Sequence, residues 1–264
     1  MTASGRPKVP VRVEKNLALR SGNACAYPSC GKELTLDPLH PDDDSKVIGK
    51  AAHIAAASPG GPRYDHAMTD QQRSSIDNLL FLCGDHHDAI DSQLSHHTTE
   101  FLHDAKRAHE AMVRRAVRTS LGHIGYPELE AVCMSLANVA SSAEPVQVPL
   151  SVDEKIELNL LGPDSRASIS DGMALVGTVG DFIDGMRNID SSLGERLSAR
   201  FKAAYFAAVA EGMDPDAVFD HLVGTAMEHS GATATADRQA TALAVVVYLF
   251  ERCEVFESAT SSSE

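Results

Sequence analysis

The chain has 264 residues and a formal net charge of −14, from 23 Lys+Arg against 37 Asp+Glu. Taken whole, so acidic a chain is a poor non-specific binder of nucleic-acid phosphates, and no apolar run in it is long enough to span a bilayer. With five cysteines and no secretory-signal pattern at the start, a disulfide framework is not expected, and the reducing cytoplasm is the expected compartment.

The charge is unevenly placed. Residues 1–120 carry 15 Lys+Arg and 15 Asp+Glu, which leaves 8 and 22 for residues 121–264, so the whole net charge belongs to the second part. That part suits a protein partner, or a second subunit with basic surface, better than it suits DNA; acidity that only aids solubility is the plain alternative.

In chain order, residues 13–20 form a short helical lead-in that stops at Ser21-Gly22. Residues 22–66 are rich in Gly, Pro, Ala and Asp and offer few large apolar groups to bury. Within them lie the pair Cys25-x4-Cys30, an acidic insertion at 40–46 expected to be an exposed loop, and the apolar run 50–57 around His53, expected to be a first hairpin strand. Residues 70–80 carry Asp70, Arg73 and Asp77 and fit a short helix running into a strand at 79–82. The run Cys83-Gly-Asp-His86-His87-Asp-Ala-Ile-Asp91 follows, with a helix starting near His86. Residues 98–120 place Phe101, Leu102, Ala105, Ala108, Met112, Val113 and Val117 at helical spacing behind a Thr-Thr-Glu start, with Lys106, Arg107, Arg114, Arg115 and Arg118 assigned to the other face.

Cys25, Cys30, Cys83 and His86 are two ligand pairs on short loops about fifty residues apart. Three thiolates and an imidazole suit tetrahedral zinc. Half-buried cysteines with a chance histidine would be the bland alternative. A structural metal would supply folding energy that this segment cannot draw from an apolar core, on the order of 10 kcal/mol in small zinc peptides. His87 and Asp91, four residues apart, would share one face of a helix and could grip a second ion together. A neutral imidazole such as that of His53 suits general-base work near neutral pH. Each of these residues has an ordinary alternative: a core histidine for His53, a turn for Asn78, a solvated carboxylate for Asp91. His66, His96 and His97 read as loop or surface residues.

The ordered set Ala52-His53-Ile54, Asn78-Leu79 and Cys83 to Asp91 resembles the HNH endonuclease motif, whose fold is a ββα-metal finger. The resemblance covers about residues 14–118. It implies His53 as the general base, Asn78 as the residue that orients the base or its loop, and His87 as a ligand of a catalytic ion. That ion would be Mg2+ or another divalent cation, with DNA as the substrate. Ala52 departs from the many members that carry a metal-binding residue just before the base, leaving the ion to His87, Asp91, water and the substrate phosphate. The stretch from Ala52 to Asp65 resembles an HNH subgroup of bacterial defence systems, in which Arg63 would face the substrate; a guanidinium in a Gly/Pro-fixed loop suits a phosphate fork, and a plain surface charge is the alternative.

The second part reads as helices: a short one after Gly122–Pro127 with Leu129, Val132, Cys133, Leu136 and Val139 on one face, then a linker through Pro149. Further stripes run through Ile169, Met173, Val176 and Ile183, through residues 193–208, and from the Asp214-Pro215 start to Met227. A final helix at 237–253 is apolar nearly all round and so is expected to be central, and 258–264 is expected to be disordered. Two segments, at 154–160 and 248–257, resemble the opening and closing signatures of a C-terminal domain of bacterial defence systems built on an ABC-type ATPase. In those systems the domain docks to the other components.

The expected fold class is α+β: a zinc-stapled HNH domain at 1–120, a linker with a short helix at 121–149, a helical partner-binding or oligomerisation domain at 150–257, and a tail. Three functions fit: an HNH nuclease controlled by partner proteins (an ABC-type ATPase and a middle component), a stand-alone restriction-type nuclease whose helical part forms a homo-oligomer, and a zinc finger that binds nucleic acid without cutting.

Overall fold

The computed structural model describes residues 9–36, 39–40, 42–43, 45–137, 150–228, 235–253 and 255–257. Val139, the linker 141–149, two positions of the acidic insertion and the tail 258–264 lie outside the described residues. The chain divides into two compact units, Met1–Arg115 and Ala116–Glu264. It is mostly helical, with two small antiparallel sheets in the first unit.

The first unit opens with α1 (Val11–Arg20), which ends where Gly22 and Asn23 adopt φ of 54° and 56°. Their amides then donate back to the carbonyls of Leu19 and Ala18, each at 2.9 Å, satisfying groups the helix end would leave bare. Strands β1 (Thr35–Leu36) and β2 (Lys46–Val47) make one two-stranded sheet. Strands β3 (Lys50–His53) and β4 (Leu79–Leu82) make the other, with His53 opposite Leu79 and Lys50 opposite Leu82. Every residue of β4 is buried. Gly49, just ahead of β3, lies under the Phe81 ring, and a Cβ there would sit 2.0 Å from a ring carbon, so only hydrogen fits.

Between the strands, Thr69 and Gln72 form a capping box that starts α2 (Asp70–Arg73), and one turn of 3-10 helix at Ile76–Asn78 leads into β4. Helix α3 (Gly84–Ser92) begins directly after Cys83. The long helix α4 (Thr99–Leu121) follows. Its buried side in this unit runs Leu102, Ala105, Lys106, His109, Glu110 and Val113.

That stripe differs from the sequence expectation in two ways. Ala108 and Met112, expected inside, are exposed. Lys106, expected on a basic outer face, is buried with its Nζ 2.5 Å from Glu110 Oε1, one turn away. The long aliphatic stem of lysine packs as an apolar group, and the glutamate supplies the countercharge that burial demands. Arg107 pairs with Asp104, and Arg118 with Asp171 at 2.8 Å, so the cationic face is largely neutralised within the chain.

The second unit holds α5 (Tyr126–Ala137), α6 (Val152–Leu158), α7 (Pro163–Met173), α8 (Val176–Met186), α9 (Leu193–Ala210), α10 (Pro215–Glu228) and α11 (Ala236–Arg252). Helix α11 is the hub: α5, α7, α8, α9 and α10 all pack on it, and Ala240 to Val247 are all buried. Helix α5, read from the sequence as part of a linker, packs against α9 and α11 with Leu129 and Cys133 fully buried. Arg196 of α9 donates from Nε to the last carbonyl of α5, Ala137, at 3.0 Å and grips Asp190 with both terminal nitrogens. These bonds, with Arg196 the largest cause, hold the Asp190 carboxyl down at about 2.

Lys155 of α6 is fully buried. Its Nζ donates to the Phe250 carbonyl at 2.8 Å and to the Cys253 carbonyl, and lies 3.8 Å from Glu257 Oε1. Burial lowers the Lys155 pKa, and Glu257 opposes that shift. Asn159 Nδ2 donates to the Phe256 carbonyl at 2.7 Å, and the Leu150 amide to Glu257 Oε1 at 2.9 Å. A cation thus seats on the carbonyl end of α11, where the helix dipole favours it. Replacing Lys155 by Met strands those carbonyls and the Glu257 charge. Chemical denaturation of Lys155→Met should show the helical unit weakened by about 3 kcal/mol or more, with zinc content of the purified protein unchanged.

Candidate metal centre and the adjoining histidine site

The first ligand pair is set by a tight hairpin. The Cys25 amide donates to the Lys32 carbonyl and the Cys30 amide to the Tyr27 carbonyl, and Ser29 and Gly31 take left-handed φ values of 63° and 58° to turn the chain. The Ala26 amide donates to the Phe81 carbonyl at 2.9 Å, which stitches this hairpin to β4. The second pair is set by a helix start: Cys83 precedes α3 and His86 lies in its first turn.

Among the described residues, Cys25, Cys30, Cys83 and His86 are the group of His, Cys, Asp or Glu able to hold a metal ion, with all ligand atoms within 4.8 Å of one another. His86 Nδ1 is 3.6 Å from Cys25 Sγ and 3.2 Å from Cys83 Sγ. A tetrahedral zinc with bonds of about 2.3 Å to sulfur and 2.0–2.1 Å to nitrogen sets ligand atoms about 3.5–3.8 Å apart. The donor set therefore fits zinc, and the 3.6 Å separation falls in that range while the 3.2 Å one is tighter. Burial pushes the Cys25 thiol up to about 12, the largest cause, while the Cys83 amide donates to its sulfur at 3.4 Å and works the other way. A thiolate here needs a cation to be stable, which a bound metal provides.

The metal cluster has an outer layer that the sequence reading did not find. The Tyr27 ring stacks on the His86 ring at 3.9 Å, nearly parallel. Its hydroxyl meets His97 Nε2 at 3.0 Å, and His97 Nδ1 donates to the Gln93 carbonyl at 3.0 Å. His97, expected at the surface, is 1% exposed. The aromatic set between the two cysteines was the available signal for Tyr27; nothing periodic marks His97. His66 and His96 are exposed.

His53 ends β3 and is half-buried. Ala52 beside it is 1% exposed, in the core. Asn78 is buried and clasps the backbone just past His53: its Oδ1 accepts from the Ala55 amide and its Nδ2 donates to the Ala55 and Arg73 carbonyls, each at 2.9 Å. The Ile54 amide adds a bond to the Asn78 carbonyl at 2.8 Å. Arg73, another residue without a sequence signal, is buried, donates to the Asp65 carbonyl at 2.7 Å and pairs with Asp70 at 2.9 Å.

His87 and Asp91 lie one turn apart on α3. His87 Nδ1 is 3.4 Å from Asp88 Oδ1. Asp91 Oδ1 is 2.9 Å from Arg63 Nη2. Arg63, expected to face a phosphate, has a side chain only 7% exposed. It donates from Nε to the Ile54 carbonyl and from Nη1 to the Ile90 carbonyl, both at 2.6 Å, with longer bonds to the carbonyls of His97 and His53 at 3.4 Å. Its donors are engaged inside the protein.

Residues 128–257 match the family model of C-terminal domain 10 of the ABC-three component (ABC-3C) systems. The match falls within the helical unit and begins inside α5, in line with the packing of that helix into the bundle. No curated protein matches the chain. No described helix is long and apolar enough to cross a membrane.

Chelation of the purified protein with a strong zinc chelator should abolish the melting transition of the first unit and leave that of the helical unit in place, read by differential scanning calorimetry. Retention of both transitions after complete metal removal would contradict a structural role for the cluster.

Proposed function

We propose that the chain is a metal-dependent HNH endonuclease that hydrolyses DNA phosphodiester bonds, an effector of bacterial anti-phage defence controlled by other components of an ABC-3C system. The reading rests above all on one arrangement: His53 ends a strand, Asn78 on the paired strand's lead-in locks the backbone immediately past it, and α3 carries His87 and Asp91 out of that second strand. The strand–strand–helix order, with a Cys3His cluster at the helix start, supports a ββα-metal finger.

In this reading His53 takes a proton from the attacking water, work that a positioned general base does with a typical gain of about 10²–10⁴-fold. Asn78 fixes the backbone just past it. A divalent ion bound at His87 and Asp91 would supply Lewis-acid stabilisation of the departing oxygen. The even charge of residues 1–120 tolerates DNA better than the acidic remainder does, and the domain match supports control through partner components, an ATPase and a middle component among them.

A non-cutting nucleic-acid module is the second reading, favoured by Ala52, which offers no ligand and is buried in the core. Plasmid nicking in Mg2+, Mn2+ and Ni2+ separates the two. Wild-type protein should cut, and His53→Ala, with zinc and fold retained, should cut about 10²-fold or more slowly. Equal inertness of both proteins in all three metals would favour the second reading.

A further inference from the structure

We propose that Arg63 is the positioning residue of this site, the part that sets the His53 strand against the helix bearing His87 and Asp91. This rests on the nuclease reading only for its catalytic consequence; the clamp itself rests on contacts. A guanidinium has five N–H donors in a fixed fork. Five acceptors surround this one: the carbonyls of His53, Ile54, Ile90 and His97 and the carboxylate of Asp91. One nitrogen, Nη2, reaches both His53, at 3.4 Å, and Asp91, at 2.9 Å. The end of β3 and the last turn of α3 are therefore held on a single atom.

Two further observations make the clamp a built feature. Arg63 adopts φ of 54°, a left-handed conformation that costs a non-glycine residue energy and persists where its surroundings enforce it. Its side chain is buried, and the Asp91 carboxylate lies 2.9 Å from it, so the pair is charge-balanced. The clamp also touches the metal cluster indirectly. His97, whose carbonyl accepts from Nη1, holds the Tyr27 hydroxyl with its ring, and Tyr27 stacks on His86. Arg63 thus brackets the end of β3, the last turn of α3 and the outer layer of the cluster.

A carboxylate tied by one oxygen to a fixed guanidinium has lost most of its rotamer freedom. Outer-layer partners of this kind typically change metal affinity or activity about 10–100-fold when removed. Lysine keeps the charge of Arg63 but cannot present a planar fork, so it can hold at most part of the set.

The test is Arg63→Lys in the full chain, read three ways. Amide hydrogen exchange at residues 53–55 and 90–97 should quicken while zinc content stays at the wild-type value. Plasmid cleavage should fall about 10–100-fold, and the Mn2+ concentration giving half-maximal rate should rise, while the DNA concentration for half-maximal rate stays within about twofold of wild type. A merely structural arginine would lower all folded protein together and leave metal demand unmoved. The 15N spectrum of the wild-type protein adds a measurement free of variant stability: a slowly exchanging Arg63 Nε–H signal is expected. If wild-type protein does not cut DNA, the nuclease reading fails while exchange and the Nε–H signal still judge the clamp. Unchanged exchange in Arg63→Lys, a rapidly exchanging Nε–H in wild type, or cleavage by a folded Arg63→Lys protein at wild-type rate and metal demand would each overturn the proposal.

Discussion

Three sulfurs and one imidazole converge where the first unit has least else to hold it. Residues 22–66 supply few large apolar side chains, and the two strands of β1 and β2 are two residues each. The buried groups that this unit does have, such as Leu17, Ile54, Ile90 and the whole of β4, collect around the sheet β3–β4 and the helix that leaves it. The cysteine hairpin joins that core through one backbone bond to Phe81 and through the cluster itself. Burial that disfavours a bare thiolate at Cys25 makes the cluster dependent on a cation, and a cation makes the hairpin dependent on α3.

Polar side chains take over where apolar ones run short. Asn78 replaces a strand pair with two side-chain bonds to Ala55 and a third to the Arg73 carbonyl, Arg73 ties the α2 loop to Asp65, and Arg63 ties three separate segments. Such interactions contribute little each in water but a great deal when their partners would otherwise be buried unsatisfied. They also demand fixed geometry, which holds the end of β3 and the last turn of α3 in one arrangement.

The sequence showed some of this plainly and hid the rest for identifiable reasons. Ligand spacing was legible, because Cys25-x4-Cys30 and Cys83-x2-His86 are local and chemically particular. The centrality of α11 was legible too, because Leu243 to Phe250 is apolar around the whole helix. The burial of Arg63 was hidden because a guanidinium on a Gly/Pro loop looks alike whether it faces solvent or four carbonyls; only the tertiary path of α3 decides. Lys106 and Lys155 were obscured in the same way, since lysine's burial depends on a partner, Glu110 in one case and the end of α11 in the other. The two segments at 154–160 and 248–257, similar to domain signatures, turn out to interlock through Lys155, Asn159 and Glu257.

The helical unit, matched over 128–257 to an ABC-3C C-terminal domain, and the cysteine-clustered unit before it make a two-part chain: one part suited to partners, the other to a metal-organised site. The metal-organised site rests on a metal at Cys25, Cys30, Cys83 and His86. Zinc-edge X-ray absorption on the purified full chain tests that directly. The account predicts one zinc per chain with three sulfur neighbours at about 2.3 Å and one nitrogen at about 2.0 Å. A protein that purifies without zinc, or a zinc shell of oxygen and nitrogen alone, would contradict it.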